Sequence, residues 1–294
     1  SVDCRQLVLN AMENQPYVTA DHRLLVEFGR EIVRGLEILA RAADIDHVML
    51  AVDMRRTDDY RDLLTDTEDD SIQRVALRPK YPIGADNILL KVLTRKEVPC
   101  GGIPADIGAG VIDAGTCFAA YRWVACGQRL NGRVVTISGN RPERSGNFFV
   151  PFGVDCGGLV QADEFSIIIG NPMTGLSSQG DVVVSPACNA ILAIEPTPIG
   201  DAAPCIRCGW CRDHCPARLN VAALNDLYEL GQIESAEKAG TLSCVECGVC
   251  SYICPARLPL AERLRQLKQT ILRMRKTMPL FHESVGSQAL RENA

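Results

Sequence analysis

No apolar run in this 294-residue chain approaches the roughly 20 residues a membrane-spanning helix needs, although 47% of its residues are hydrophobic. Nor is either sign of charge in marked excess: 31 basic and 36 acidic residues give a formal net charge of −5. That balance supplies no general attraction to nucleic acid or to an anionic membrane surface. Any membrane association is therefore expected to pass through a partner. The opening SVDCRQLVLNAMEN lacks the basic start and apolar stretch of a secretory signal. Histidine is scarce, and His22, His47, His214 and His282 show no metal-like spacing. The glycines of GGIPADIGAG do not follow the strand–turn–helix order of a dinucleotide fingerprint.

Cysteine is abundant instead, with 14 residues. A chain of this length without an export signal gives a disulfide framework no support, and a reduced cytoplasm fits the usage better. Six cysteines are scattered: Cys4, Cys100, Cys117, Cys126, Cys156 and Cys188 read as small buried hydrophobes. The other eight form CIRCGWCRDHCP and CVECGVCSYICP, both with the spacing C-x₂-C-x₂-C-x₃-C-P. Three thiolates three residues apart on a tight loop point at one iron–sulfur cube, and the fourth reaches across to the other cube. The spacing predicts one [4Fe–4S] cluster on Cys205, Cys208, Cys211 and Cys254, and a second on Cys244, Cys247, Cys250 and Cys215. Zinc ribbons use two separated C-x₂-C pairs, so this pattern disfavours zinc. Gly209 and Gly248 let backbone approach the sulfurs, and Pro216 and Pro255 are expected to open the following helices.

Ahead of the cysteines the chain alternates. LVLNA, HVMLAVD and SIQRVALRP read as strands, and ADHRLLVEFGREIVRGLEILARAA as a helix with Leu24, Phe28, Ile32, Leu36 and Leu39 on one stripe. Thr19 or Asp21 is its candidate N-cap. DDYRDLLTD and ADNILLKVLTRKE read as helical, and GVIDAGTCFAAYRWVACG as a Gly-rich turn entering a helix. This alternation predicts a mostly parallel sheet covered by helices over residues 1–130. Short β segments between turn signals then suggest a β-rich module over 131–195. A Pro-rich linker, EPTPIGDAAP, leads to a helical two-cluster region over 196–280 and a frayed tail over 281–294.

NAMENQPYVTADHRLL, YPIGADNILLKVLTRKEVPCGGIPADIGAGVIDAGT and the paired CIRCGWC and CVECGVC resemble the C subunit of the Rnf electron-transport complex. They also resemble the related cobalamin reductase of propanediol-using microcompartments. The resemblance runs through nearly the whole chain in the same order. It implies a domain like the flavin subunit of respiratory complex I, a soluble-ligand-binding-type β module and a ferredoxin-like domain. It also implies FMN and NADH at the first domain, with Asn10 and Glu13 matching two flavin-contact positions. Other redox subunits, or a ferredoxin- or flavodoxin-type carrier, are the implied partners. The implied location is cytoplasmic, peripheral on the inner face of a membrane.

Three features depart from the family pattern: no Gly-rich loop precedes LVLNA, Ala85-Asp86 stands for Gly-Glu, and Asp113 stands for Asn. Without the loop a flavin phosphate loses its main backbone anchor, and Asp113 adds negative charge beside it. Either the loop lies upstream of Ser1 or the chain is a variant without flavin. Three roles follow: a relay subunit of an Rnf-like complex, a flavin-dependent corrinoid reductase, or a non-catalytic adaptor wiring an enzyme to its donor. Two smaller expectations concern the cluster region. His214, beside Cys215, is a candidate to tune a cluster by hydrogen bonding. Leu260, Leu264, Leu267 and Ile271 form a helix stripe flanked by Arg263, Arg265, Lys268, Arg273, Arg275 and Lys276, a solvated face or a docking surface for an acidic partner.

Overall fold

The computed structural model describes residues 4–12, 15–60, 72–140, 142–160, 166–178, 181–195 and 200–289. The chain divides into two compact units, Ser1–Pro198 and Ile199–Ala294.

In the first unit, β1 (Gln6–Ala11), β2 (His47–Asp53), β3 (Ile72–Leu77) and β4 (Ala109–Asp113) form a sheet of order β3-β2-β1-β4. All three pairings are parallel, with Asn10 of β1 opposite Asp113 of β4. β1 and β2 are apolar at nearly every position because both of their faces are covered. Leu7, Leu9, Val48, Leu50 and Val52 point to one side, against α1 (Ala20–Ala42) and α3 (Ala114–Cys126). Val8, Met49 and Ala51 alternate to the other side, against Leu89 and Leu90 of α2 (Asp86–Thr94). The parallel α/β expectation holds.

Several local expectations change. Residues 109–113 form β4 rather than a glycine turn, because Val111 and Ile112 pair along β1 and the helix begins only at Ala114. Thr19 occupies the N-cap position of α1 without a side-chain cap bond. Its hydroxyl is engaged with Asn147, while its backbone N–H donates to Thr136 Oγ1 at 3.0 Å. Phe28 leaves helical geometry (φ −130°, ψ 29°) and stacks on Phe118 with ring centroids 4.7 Å apart. Leu25 and Val33 complete the buried stripe instead. Of DDYRDLLTD, residues 61–66 lie outside the described residues. Among the scattered cysteines, Cys117, Cys156 and Cys188 are buried and Cys4 is half-buried, but Cys100 and Cys126 are exposed. Cys100 sits in a turn and Cys126 at the end of α3, both open to solvent, whereas Cys117 packs in the core beside α1.

The β-rich part of this unit is a five-stranded mixed sheet. It comprises β5 (Gly132–Gly139), β6 (Gly146–Pro151), β7 (Ser166–Ile169), β8 (Leu176–Ser178) and β9 (Ala190–Ile194), in the order β6-β5-β9-β7-β8. Its core gathers Val135, Ile137, Val150 and Ile191 with Cys156 and Val160 of the short helix α4 (Cys156–Val160).

The second unit is helical: α5 (Trp210–Asp213), α6 (Val221–Glu229), α7 (Ile233–Lys238), α8 (Val249–Tyr252) and α9 (Leu260–Ala289). Leu260, Leu264 and Leu267 are almost wholly buried and pack on Val221, Leu224 and Ala236. The helix expected between the motifs breaks at Gly231, whose φ of 66° suits glycine. Backbone of α9 continues to Ala289 through residues read as a frayed tail. Glu283, Gln288 and Ala289 are good helix formers, so a polar composition is as compatible with a helix as with a tail. Among the described residues, no helix is long and apolar enough to cross a membrane.

Candidate iron–sulfur centre and the flavin-domain edge

The two cysteine motifs fold alike. Arg207 and Glu246, each just before the second cysteine, adopt left-handed backbone with φ of 58° and 54°. Gly209 and Gly248 follow at 83° and 79° and start the one-turn helices α5 and α8. Non-glycine residues rarely take positive φ, so its recurrence at matching positions marks a loop shape that both motifs require. The pattern continues past the fourth cysteine, where Arg218 and Arg257 take φ of 55° and 56°. Their backbone N–H groups donate to the carbonyls of Cys215 and Cys254, each at 3.0 Å. Pro216 and Pro255 therefore open turns, and the longer helices start later, at Val221 and Leu260. The fourth cysteine is thus set by a turn after a short helix rather than carried on the following helix.

The thiols assort across the motifs. Cys205, Cys208, Cys211 and Cys254 line one cavity, closed by Ala222, Ala256, Leu258 and Leu260. Burial pushes the Cys211 thiol up, and its neighbours Cys205, Cys208 and Cys254 add to the shift. On the other side burial lifts Cys244 to about 11 and Cys250 to about 12. Cys250 feels Cys244, Cys247 and Cys215; Cys247, also raised by burial, feels Cys215. Cys254 thus lies in the cavity of the first triplet, and Cys215 is an electrostatic neighbour of the second. To hold a cluster these thiols would have to be thiolates.

Among the described residues, no three His, Cys, Asp or Glu side chains converge closely enough to hold a single metal ion. Four thiols lining one apolar cavity suit the thiolate ligation of a [4Fe–4S] cube. The residues present fit [4Fe–4S] clusters.

The surroundings revise two expectations. His214 Nδ1 bonds the Trp210 carbonyl oxygen at 3.0 Å, so that ring nitrogen is committed to backbone. The basic residues of α9 are largely committed within the unit. Arg263 reaches Glu229 and Asn225, and Arg275 reaches Glu237. Arg265 and Lys268 converge on Glu246. Sequence reasoning missed this last cluster, because Glu246 reads as a plain loop residue until α9 folds back on it.

At the carboxyl edge of the parallel sheet, the usual ligand position of such folds, Asn10, Asp86 and Asp113 come together; Glu13 lies outside the described residues. Asn10 Nδ2 donates to the Gly84 carbonyl at 2.9 Å, and its Oδ1 accepts from Met12 N–H at 3.2 Å. Desolvation raises the Asp86 carboxyl, a hydrogen bond from Asn10 opposes this, and Asp113 adds repulsion. Asp113 Oδ1 accepts from Thr116 N–H at 2.6 Å and so caps α3 itself. A helix start binds phosphate through such N–H groups; here a carboxylate occupies that role and repels an anion. The described residues therefore do not fit a flavin phosphate at this helix end.

Comparison with known proteins agrees with this layout. Residues 1–122 match the Nuo51 FMN-binding domain, and residues 197–255 match a 4Fe-4S dicluster domain. The chain thus carries an iron–sulfur dicluster domain behind a domain of the flavin-subunit fold. The NAD+-reducing [NiFe]-hydrogenase in its H2-reduced state shares the fold, with a TM-score of 0.58 and 15% identity over 90% of this chain and 56% of that one. The C subunit of the proton-translocating ferredoxin:NAD(+) oxidoreductase complex of Clostridium ljungdahlii is 35% identical over 237 residues, covering 76% of this chain and 52% of the relative. The C subunit of the ion-translocating oxidoreductase complex of Rhodobacter capsulatus is 33% identical over 256 residues, covering 82% and 48%. The chain spans about half the length of these curated relatives. With relatives of this name aligned through both the flavin-fold and dicluster regions, the chain belongs to the family of Rnf-complex C subunits.

Proposed function

We propose that this chain relays electrons one at a time through two [4Fe–4S] clusters, as a peripheral subunit of an Rnf-type complex on the cytoplasmic face of a membrane. Its partners are other redox subunits and a low-potential carrier of the ferredoxin or flavodoxin type. The observation that carries the reading is the cavity shared by Cys205, Cys208, Cys211 and the distant Cys254. When bound, each cluster supplies a reversible one-electron couple. The protein's part is to hold two such centres rigidly and adjacent. Cys215 and Cys254 each leave one motif and enter the other's set, which ties the two loops together. The apolar wall of Ala222, Ala256, Leu258 and Leu260 keeps water from one side of the first centre, while Cys208 stays exposed and gives electrons a short route to a docked carrier.

Hydride donors require a two-electron acceptor, and the helix start capped by Asp113 does not favour a flavin phosphate. The reading therefore assigns the direct exchange to one-electron carriers, with NADH acting through a partner subunit. The test is stopped-flow mixing of the anaerobically reconstituted chain with reduced ferredoxin or with NADH. Ferredoxin is expected to bleach the iron–sulfur absorbance and NADH alone to leave it. Failure of ferredoxin to exchange electrons with loaded protein would defeat the relay; bleaching by NADH alone would restore a reductase role.

A further inference from the structure

The two motifs repeat each other's backbone but invert one charge. Arg207 and Glu246 hold the same motif position in the same left-handed conformation. Each is met by the sixth residue of the helix that follows its motif, Asp226 of α6 and Arg265 of α9. The pairs Arg207–Asp226 at 2.6 Å and Glu246–Arg265 at 3.4 Å are thus the same contact with signs exchanged.

The second copy has an addition. Lys268, one turn beyond Arg265 on α9, places its Nζ 2.8 Å from Glu246 Oε1 and donates to the Cys244 carbonyl, also at 2.8 Å. The first motif has this one pair, whereas at the second Arg265 is shared between Glu246 and Glu262, and Lys268 is a further cation held against the loop itself. The side chains of Lys268 and Arg265 are each 24% exposed, against 64% for Arg207. Partial withdrawal from water strengthens a charge's field on its neighbours. The ammonium is also pinned between two acceptors, and buried Leu264 and Leu267 fix the register of its helix. Reduction adds negative charge to a cluster, so a fixed cation beside it favours the reduced form.

Resting on the relay reading above, we infer that Lys268 is a positioning residue that raises the reduction potential of the cluster held by Cys244, Cys247, Cys250 and Cys215, making the two stations of the relay unequal. The first station has its own distinguishing feature, the exposed Cys208. Lys268 acts on the second.

The experiment is an EPR-monitored redox titration of the reconstituted full chain. Lys268→Gln is expected to lower one midpoint, cutting the reduced-to-oxidised ratio of that cluster about tenfold at fixed potential, or about 59 mV for a one-electron couple. That is the order expected of one unit charge acting across about 10 Å at an effective dielectric of about 20. Lys268→Arg should keep the wild-type value. Glu246→Gln should raise the same midpoint, and Arg207→Gln should lower the other. The inference is overturned if Lys268→Gln moves neither midpoint, moves both equally, or moves the one that Arg207→Gln moves. Should Lys268→Gln lose iron, Glu246→Gln decides alone, since an unmoved midpoint there removes the electrostatic argument. If the wild-type chain binds no pair of clusters, the relay reading fails first and is told apart by iron content.

Discussion

Replacing Gly35 with alanine tests how the flavin-fold unit is held together, because two effects of known size oppose each other. Gly35 lies in the buried middle of α1, where alanine gains about 1 kcal/mol of helix propensity over glycine. A Cβ there would stand 1.9 Å from the Cys117 carbonyl oxygen and 2.6 Å from its carbonyl carbon. Ordinary contact begins near 3.4 Å, so α1 and α3 must part by more than an ångström. The obstructing atoms are helical backbone and cannot swing aside. Overpacking costs typically about 1–3 kcal/mol, and a gap of about 1 Å forfeits up to about half of the dispersion across it. Leu24, Ile32, Leu36 and Cys117 all share the disturbed core. The cost lands at the upper end, and the net destabilisation is about 2 kcal/mol. For a unit of this size that lowers the thermal midpoint by about 4–8 °C. The assay is thermal unfolding by circular dichroism, with iron–sulfur absorbance as a separate marker of the second unit. A Gly35→Ala protein as stable as wild type, or more so, would refute the close helix contact and leave propensity as the ruling term.

Three further outcomes are expected. Cys254→Ala should abolish the same EPR signal as Cys205→Ala, and Cys215→Ala the same as Cys247→Ala; if Cys254→Ala behaves like Cys247→Ala, the interleaving is wrong. Asp53 is buried, and although burial alone would raise its carboxyl, the hydrogen bonds from Arg55 N–H at 2.8 Å and its guanidinium at 3.0 Å prevail and hold it below its ordinary value. A depressed folded pKa stabilises above the unfolded value and loses that contribution as pH falls through the folded one. Asp53→Asn should therefore flatten the acid limb of a urea-midpoint profile below about pH 4, at a cost near neutrality of about 1 kcal/mol or less because Arg55 is largely exposed; an unchanged acid limb would remove Asp53 from the account. Asp113→Asn, which keeps the cap oxygen and drops the charge, should bind inorganic phosphate or FMN more tightly than wild type in a fluorescence titration, and equal affinities would show that the carboxylate does not guard the helix start.

Much of this architecture was legible in the sequence, for identifiable reasons. Strands buried on both faces leave continuous apolar runs, so LVLNA and HVMLAVD stood out. The cysteine spacing encodes loop geometry directly, and it anticipated that Cys254 joins the first triplet. Where glycine dominated, the reading went astray: GVID pairs with β1 through its own β-branched Val111 and Ile112, and local glycine content says nothing about a strand partner a hundred residues away. The exposed Cys100 and Cys126 were misplaced because cysteine's usual burial is a statistical habit, not a local signal. The charge inversion between Arg207 and Glu246 was visible as letters, yet its meaning depends on Asp226, Arg265 and Lys268, which only the folded helices bring to those loops. The partners of the basic residues on α9 were hidden in the same way, since pairing with Glu229, Glu237 and Glu246 is long-range.

The central claim, that eight cysteines hold two four-iron clusters, is tested most directly by iron and acid-labile sulfide analysis of the anaerobically purified full chain, with EPR of its reduced form. The account predicts about eight iron and about eight sulfide per chain and a spectrum of two interacting [4Fe–4S] centres. Zinc in place of iron, or about four iron with a single isolated signal, would contradict it.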